Sequence, residues 1–317
     1  MKTIKPIILL ICTSFLFINL SCKPEIEKEG FVNVEGGKIW YKIVGNGEGI
    51  PLLVMHGGPG SRSCSMMPGL SLLSNERPVI FYDQLGSGNS DRPKDTALYK
   101  IDRFVNEIDL LRSALDLKEL HILGHSCGGT FLIEYMVTKR PKGVKSIIFS
   151  SPMLSTPVWI DDANILLSQL PVTLQDTISK YENIKNYTAP EYLKATDSFY
   201  ARHLSRKSWP YQNTVDCENV PGFNNDIYNY MWGPTEFTAT GTLKDFDRTP
   251  DLGSITEPIL FITGEYDEAR PETIFKFQKL SKNADVEIIK DAAHMTMIDQ
   301  PEQVAKAIRK FLKRIEN

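Results

Sequence analysis

Cysteine is scarce in this sequence, and its spacing gives no sign of a metal site. The chain of 317 residues has five cysteines, with no Cys-x-x-Cys pair and no Cys/His spacing of the kind that binds zinc. Two of them, Cys12 and Cys22, lie within or shortly after an apolar run near the N-terminus. The other three are Cys64, Cys127 and Cys217, so at least one of these is unpaired within the chain. We therefore expect no zinc site and no structural disulfide.

A large excess of positive or negative charge is also missing. The formal net charge is -3, and no block of Lys or Arg marks a surface for nucleic acid, so we expect no nucleic-acid partner. Hydrophobic residues make up 42% and charged residues 24% of the chain, a balance that excludes collagen-like, disordered and disulfide-dense classes. The length accommodates one large α/β domain with an insertion, or two small domains.

The N-terminus has an apolar run that is short for a helix crossing a membrane. Lys2 and Lys5 precede this run, which extends over residues 7–18. A basic start, a short apolar stretch and a small residue before the cleavage point are typical of a secretory signal. We therefore predict a signal peptide over residues 1–21 and an exported protein.

The end of this segment resembles the cleavage site of bacterial lipoproteins. Ser21 precedes Cys22, which would become the lipidated mature N-terminus and anchor the protein to a membrane through lipid alone. Asn19 departs from the pattern, because such sites usually have Leu there. The polar residues 22–30 are interpreted as a tether. A plain signal peptide or an uncleaved anchor is the alternative.

Short apolar runs alternate with segments of helical periodicity along most of the chain. Two β-rich runs flank Gly36 and Gly37 and predict a hairpin. Continuous apolar runs typical of strands buried on both faces follow at residues 51–55, 79–82, 120–123, 146–149, 259–262 and 286–289. Strands that alternate with helices predict an α/β fold with a mostly parallel sheet covered by helices on both faces.

One stretch interrupts this alternation. Residues 155–237 contain no clean buried-strand run and are rich in Tyr, Asn, Trp and Pro. We interpret them as a helical cap inserted over the C-terminal edge of the sheet. The core would then comprise residues 31–154 and 238–317.

The segment GHSCGG at residues 124–129 directly follows a predicted strand and precedes a predicted helix. This is the G-x-S-x-G nucleophile elbow in the strand–turn–helix context typical of α/β-hydrolases. The sharp turn needs small neighbours and exposes the serine hydroxyl at the end of the sheet. Ser126 is therefore the predicted nucleophile, the alternative being a glycine-rich turn without chemistry.

The partners of such a serine follow in the order acid, then histidine. Asp267 lies on the loop after the predicted strand 259–262, and His294 lies on the loop after strand 286–289. Loops at the C-terminal ends of parallel strands converge, so His294 is predicted to be the general base and Asp267 its orienting acid. Glu265 and Asp291 are the competitors for the acid.

The segment HGGPG at residues 56–60 follows another predicted strand. In this fold an N–H of that loop and the N–H after the nucleophile form the oxyanion hole. Gly58 and Cys127 are the predicted donors, and Cys127 contributes only its backbone. The alternative is a tight loop with no role in catalysis. This chemistry requires neither a metal nor a cofactor.

Together these motifs resemble the proline iminopeptidases, a serine peptidase family of the α/β-hydrolase superfamily. The resemblance extends over residues 31–311 and includes HGGPG, GHSCGG, DQLGSG at 83–88, WGPTEF at 232–237 and GEYDE at 264–268. The last two are similar to the branch related to the tricorn-protease interacting factor. Leu85 departs from the family, which usually carries Arg there, and a loop-anchoring contact is in question at that position.

The resemblance implies removal of an N-terminal residue, often proline, from short peptides with a free amino terminus. It assigns Glu236 and Glu268 to the ammonium group of the substrate, for which a partly desolvated carboxylate is the natural partner. Two other functions stay open. One is an esterase, lactonase or amidase on the same scaffold, and the other is a non-catalytic lipid-anchored binding protein.

Overall fold

The computed structural model describes residues 27–207 and 217–317. The predicted signal peptide, the lipidation site at Cys22 and the first residues of the tether lie outside the described residues. Within the described ranges no helix combines the length and the apolar character needed to cross a bilayer.

A single sheet carries the strands of the described chain. They are β1 (Glu27–Val34), β2 (Gly37–Val44), β3 (Leu52–Met55), β4 (Val79–Tyr82), β5 (Leu120–His125), β6 (Val144–Ser150), β7 (Ile259–Gly264) and β8 (Ala284–Ile289). Their order is β1-β2-β4-β3-β5-β6-β7-β8. β1 and β2 pair antiparallel, as do β2 and β4, and every later pair is parallel. The predicted α/β-hydrolase fold with a mostly parallel sheet is confirmed.

The first strand starts earlier than the sequence suggested. Glu27 pairs with Val44 and Gly30 with Tyr41, so the end of the predicted tether belongs to the sheet. The tether boundary at residue 30 was therefore wrong. Its polar composition concealed a strand at the edge of the sheet, where side chains face solvent.

Helices cover both faces of the sheet and form a separate layer above its edge. They are α1 (Met67–Leu70), α2 (Ile101–Ala114), α3 (Cys127–Lys139), α4 (Thr156–Ser168), α5 (Val172–Asn183), α6 (Pro190–His203), α7 (Asn225–Met231), α8 (Pro271–Leu280), α9 (Thr296–Asp299) and α10 (Pro301–Glu316). Helices α4 to α7 all fall within the range 155–237 that the sequence assigned to a cap.

Three hydrophobic clusters stabilise these layers. One face of the sheet packs against apolar side chains of α2, α3 and α8, including Phe104, Phe131 and Phe277. The opposite face packs against α1 and α10. Helices α4 to α6 have a cluster of their own, which includes Tyr192, Phe199 and Phe237. The cap therefore holds together partly through its own contacts and does not depend on the sheet alone.

A disulfide between Cys64 and Cys217 joins the core to the cap segment before α7, with the Cα atoms 5.3 Å apart. The expectation of no structural disulfide was wrong. The two cysteines are separated by 153 positions in the chain, so their sequence spacing gives no sign of the contact. Both are buried, whereas Cys127 is a buried free thiol, as the odd count requires.

The loop that carries Leu85 is anchored without an arginine at that position. The Leu85 side chain is fully buried, and its backbone N–H donates to Glu107 Oε1 at 3.1 Å. Arg103, one helical turn earlier in α2, pairs with the same carboxylate. A backbone hydrogen bond and the buried Leu85 side chain thus anchor this loop, in which the sequence departs from the family pattern.

Candidate active site

Ser126 lies at the junction of β5 and α3, in the conformation that a nucleophile elbow requires. Its backbone has φ 54° and ψ -124°, a left-handed region that non-glycine residues rarely adopt. A Cβ atom on Gly124 would lie 2.6 Å from the carbonyl oxygen of Gly128, and one on Gly128 would lie 2.6 Å from that of Met55. The glycines therefore permit a turn so tight that a larger neighbour would have to displace backbone.

Asp267 follows β7 and is almost completely buried. Its carboxylate accepts hydrogen bonds from the Ser151 hydroxyl at 2.6 Å and from the backbone N–H groups of Gly264 at 3.1 Å and Ala269 at 2.8 Å. Burial alone would raise the pKa of Asp267, but His294 and these hydrogen bonds outweigh it and hold the pKa below its usual value. Asp267 is therefore an anion with fixed orientation.

His294 lies in the loop between β8 and α9, with Nδ1 3.0 Å from Asp267 Oδ1. Because the carboxylate accepts at Nδ1, the proton is assigned to that nitrogen, and Nε2 is left with a lone pair. His294 and Ser126 line the same cavity. The structure thus brings Asp267 and His294 into contact at the edge of the sheet where Ser126 lies.

The competing acids are not at the site. Glu265 and Asp291 are both exposed, and the Glu265 carboxylate accepts a hydrogen bond from the Asp291 backbone instead. Ser151, by contrast, is a residue that the sequence analysis missed. It follows β6 at the same edge of the sheet as Ser126, and that position after a strand was the available signal.

Two further histidines near the nucleophile hold loops. His125 Nδ1 donates to the carbonyl oxygen of Ser150 at 3.1 Å, and burial lowers the pKa of His125 to about 3. His56 contacts the carbonyl oxygen of Gly57 at 2.8 Å and accepts the Gln84 N–H at 3.1 Å, and burial lowers its pKa as well. Both imidazoles are therefore neutral at physiological pH.

The loop at residues 56–60 approaches the nucleophile closely. A Cβ atom on Gly57 would lie 2.7 Å from the Cβ of Ser126. Gly58 and Cys127 both border a small recess beside Ser126, which Met153, Trp159, Trp232 and Glu236 complete. Burial raises the pKa of the Cys127 thiol to about 12, so this thiol stays protonated and does not compete with the serine as a nucleophile.

Two glutamates line the same cavity as Ser126 and His294. Glu268 follows Asp267 in the chain, is 3% exposed, and places Oε1 3.7 Å from His294 Nδ1. Glu236 comes from the cap and accepts a hydrogen bond from the Tyr228 hydroxyl at 2.5 Å. Burial first, and then the charges of Glu236 and Asp267, hold the pKa of Glu268 well above its usual value. Burial also raises the pKa of Glu236.

Of the predicted site residues, all but Asp267 and Cys127 line one cavity of about 510 Å³ between sheet and cap, namely Gly58, Ser126, Glu236, Glu268 and His294. Its walls also include the aromatic side chains of Tyr200, Phe223 and Tyr228. Among the residues that the structure describes, no group of His, Cys, Asp and Glu side chains is arranged to hold a metal ion. The arrangement combines a serine, an oriented imidazole and a cluster of carboxylates that favours a cationic ligand.

Comparisons with known proteins agree with this arrangement. The family model described as the alpha/beta hydrolase fold matches residues 50–301. The chain is 44% identical over 292 residues to a proline iminopeptidase of Heyndrickxia coagulans, which covers 90% of this chain and 99% of that protein. It is 33% identical over 305 residues to a proline iminopeptidase of Saccharolobus solfataricus, covering 95% of this chain and 97% of the relative.

A solved structure gives the same result. The crystal structure of a proline iminopeptidase from Mycobacterium smegmatis superposes with a TM-score of 0.82 at 29% sequence identity, covering 91% of this chain and 99% of that one. Elbow, acid, histidine and sheet order are thus found in a chain that shares sequence and architecture with these enzymes over most of its length. The protein belongs to the proline iminopeptidase family of α/β-hydrolases.

Proposed function

We propose that the protein is a serine aminopeptidase that releases an N-terminal residue, above all proline, from short peptides. The observation that carries the proposal is the cavity itself. It brings the Asp267–His294 pair, the elbow serine, the buried Glu268 and the half-buried Glu236 together, and a relative at 44% identity is a proline iminopeptidase.

The proposed reaction is acyl transfer through a covalent intermediate. Ser126 Oγ attacks the carbonyl carbon of the first residue while His294 Nε2 takes its proton. The backbone N–H groups of Gly58 and Cys127 stabilise the oxyanion. His294 then donates the proton to the leaving amine, and a water molecule repeats the sequence to release the amino acid.

The glutamates supply the exopeptidase character in this proposal. Glu236 and Glu268 would bind the ammonium group of the first residue, and a cation between them would offset the burial and the repulsion that raise the pKa of Glu268. An N-acylated peptide has no such charge and would leave the buried Glu268 and the half-buried Glu236 without a cationic partner. A buried charged group without a partner is costly, so blocked peptides should be poor substrates.

A substrate panel tests this function. The wild-type enzyme is assayed on the arylamides of proline, alanine and leucine, on their N-acetylated forms and on a nitrophenyl ester. We expect free arylamides, proline first, to be cleaved and blocked forms to be cleaved at least about a hundredfold more slowly. Ser126→Ala should lower kcat roughly a millionfold on every substrate. Equal rates on free and blocked arylamides would instead support the esterase or amidase function.

We further propose that the protein is exported and anchored by lipid at Cys22. The buried disulfide between Cys64 and Cys217 supports export, because such bonds persist in oxidising compartments and are rare in the cytosol. Labelling cells with a radioactive fatty acid tests the anchor. The label should appear on the wild-type protein and be absent from Cys22→Ser, and a label that survives this substitution would overturn the proposal.

A further inference from the structure

The DQLGSG loop at residues 83–88 lies beside the HGGPG loop at residues 56–60. The two loops follow β4 and β3, which are parallel neighbours in the sheet, so both begin at the same edge. They meet at Gln84 and His56, whose side chains are both buried. Neither residue lines the cavity or the recess beside the nucleophile. Any effect of this pair on the proposed reaction must therefore pass through the loop that His56 begins.

Gln84 contacts His56 at two points. Its backbone N–H donates to His56 Nε2 at 3.1 Å, and its side-chain Nε2 donates to the carbonyl oxygen of His56 at 2.9 Å. A backbone N–H can only donate, so His56 Nε2 carries no proton, and in the neutral ring the proton is on Nδ1. Burial lowers the pKa of His56, which keeps this ring neutral. Gln84 thus selects one tautomer of His56.

This tautomer holds the peptide unit between Gly57 and Gly58. His56 Nδ1 donates to the carbonyl oxygen of Gly57 at 2.8 Å. That carbonyl group and the N–H of Gly58 belong to one planar trans peptide unit, in which the two groups point in opposite directions. A hydrogen bond that fixes the oxygen on the side of the imidazole therefore directs the Gly58 N–H away from it.

The same peptide unit lies next to the nucleophile. A Cβ atom on Gly57 would lie 2.7 Å from the Cβ and 3.3 Å from the Oγ of Ser126. Gly58 and Ser126 line the same cavity and the same recess. The direction of the Gly58 N–H is important here, because a hydrogen bond weakens steeply as its angle at the hydrogen decreases.

We propose that His56 and Gln84 are positioning residues of the oxyanion hole. Gln84 fixes the tautomer of His56, and His56 fixes the peptide unit that presents the Gly58 N–H. Neither side chain would touch the substrate. A donor that is already oriented need not reorganise when the oxyanion forms, so the pair would act on the transition state more than on substrate binding. This inference rests on the acyl transfer in the proposed function, whichever amino acid is released.

The test measures kcat and KM on a proline arylamide and on a nitrophenyl ester, since both would form an oxyanion. His56→Leu should lower kcat about a hundredfold on both, the order of effect of losing one oxyanion donor, with KM within roughly twofold of the wild type. His56→Asn should recover about tenfold of this loss, because its amide nitrogen can donate to Gly57 in place of Nδ1. Gln84→Met removes one of the two contacts with His56 and should lower kcat about tenfold.

His121→Leu is the matched control. His121 is also buried and contacts the Ser146 hydroxyl at 2.7 Å, but it lies near the start of β5, at the edge of the sheet opposite the nucleophile. This variant should be destabilised as His56→Leu is and keep the kcat of the wild type. Equal falls in kcat at positions 56 and 121 would overturn the inference. Equal losses in His56→Leu and His56→Asn, or a change in KM alone, would overturn it as well.

Two further outcomes are separable. If His56→Leu failed to fold, Gln84→Met would carry the test, and an unchanged kcat in that variant would overturn the inference. If the wild type cleaved the ester and no free arylamide, the aminopeptidase function would be contradicted, and the ester would still decide the inference. A wild type that cleaved neither substrate would contradict both.

Discussion

The sheet edge and the cap build the two walls of the cavity in different ways. At the sheet edge Asp267 is fixed by backbone N–H groups and by the Ser151 hydroxyl, all from strand ends. In the cap Glu236 is held by a side chain, Tyr228, and the flanking hydroxyls of Thr235 and Thr238 bond to Glu182 of α5. The sheet edge therefore fixes the proposed catalytic acid through strand ends, whereas the cap presents the proposed recognition group, Glu236, whose position depends on side-chain contacts.

The difference is sharpest at two neighbouring carboxylates. Asp267 has its pKa held low by His294 and hydrogen bonds, whereas burial and the adjacent charges raise the pKa of Glu268. The first is stabilised as an anion within the protein. The anionic form of the second is destabilised, and the proposed substrate would supply a cation that stabilises it. In the proposed function, these adjacent residues thus divide catalysis and recognition between them.

The largest effect should follow from removing the charge at the sheet edge. Asp267→Asn should lower kcat about ten-thousandfold, because the amide no longer fixes the imidazole with its proton on Nδ1. The loss should be equal on a proline arylamide and a nitrophenyl ester, since both use the same base. Glu265→Gln, an exposed neighbour, is the control. A variant of Asp267 that kept a tenth of the activity would contradict the assignment of the acid.

The connection between core and cap can be broken at the disulfide. Replacing both Cys64 and Cys217 by Ser should lower the free energy of unfolding by roughly 4 kcal/mol, because the bond closes a loop of 153 residues in the unfolded chain. Denaturant unfolding measures this, and the wild type in reductant should match the double variant. Equal stability of the variant and the oxidised wild type would show that the bond does not stabilise the fold.

A second connection depends on the buried carboxylate of Asp299. It accepts hydrogen bonds from the N–H groups of Arg206 and Lys207 in the cap and of Ala293 beside His294. Asp299→Ala should destabilise the protein by about 2 kcal/mol, since it leaves buried donors without a partner. As a positioning residue it should lower kcat about tenfold with less effect on KM.

Asp291→Ala, at an exposed position on the same loop as His294, is the matched control for Asp299. Asp299→Asn keeps one oxygen as an acceptor and should recover part of kcat. If Asp299→Ala changed stability while kcat stayed at the wild-type value, the role of Asp299 would be structural only.

The smallest effect concerns stability against pH. The folded pKa of Glu268 is raised, so the folded state binds this proton more tightly than the unfolded state, and ionisation of Glu268 destabilises the fold as pH rises above about 4.3, the ordinary value. Glu268→Gln should therefore match the wild type near pH 3 and be more stable by on the order of 1 kcal/mol at pH 7. Thermal unfolding across this range measures it, and a difference independent of pH would refute the assignment.

The sequence predicted the sheet edge better than it predicted the cap and the connections between cap and core. Strand ends determine where Ser126, Asp267 and His294 lie, so a linear pattern of apolar runs was enough to bring them to one edge. The disulfide and the hydrogen bonds of Asp299 join segments that are distant in the chain. The spacing of apolar residues along a sequence does not indicate such contacts. Tyr228 was missed for the same reason, because its hydroxyl meets Glu236 only after the cap has folded.

The proposal that the sheet edge carries out catalysis and the cap recognises the substrate ammonium is tested most directly by Glu236→Gln. The measurement is kcat/KM on proline arylamide divided by kcat/KM on a nitrophenyl ester that lacks an amino group. Since the cap would act only through the substrate ammonium, this ratio should fall by about a hundredfold relative to the wild type. An unchanged ratio, whether both rates fell together or neither moved, would contradict the claim that the cap selects the amino terminus.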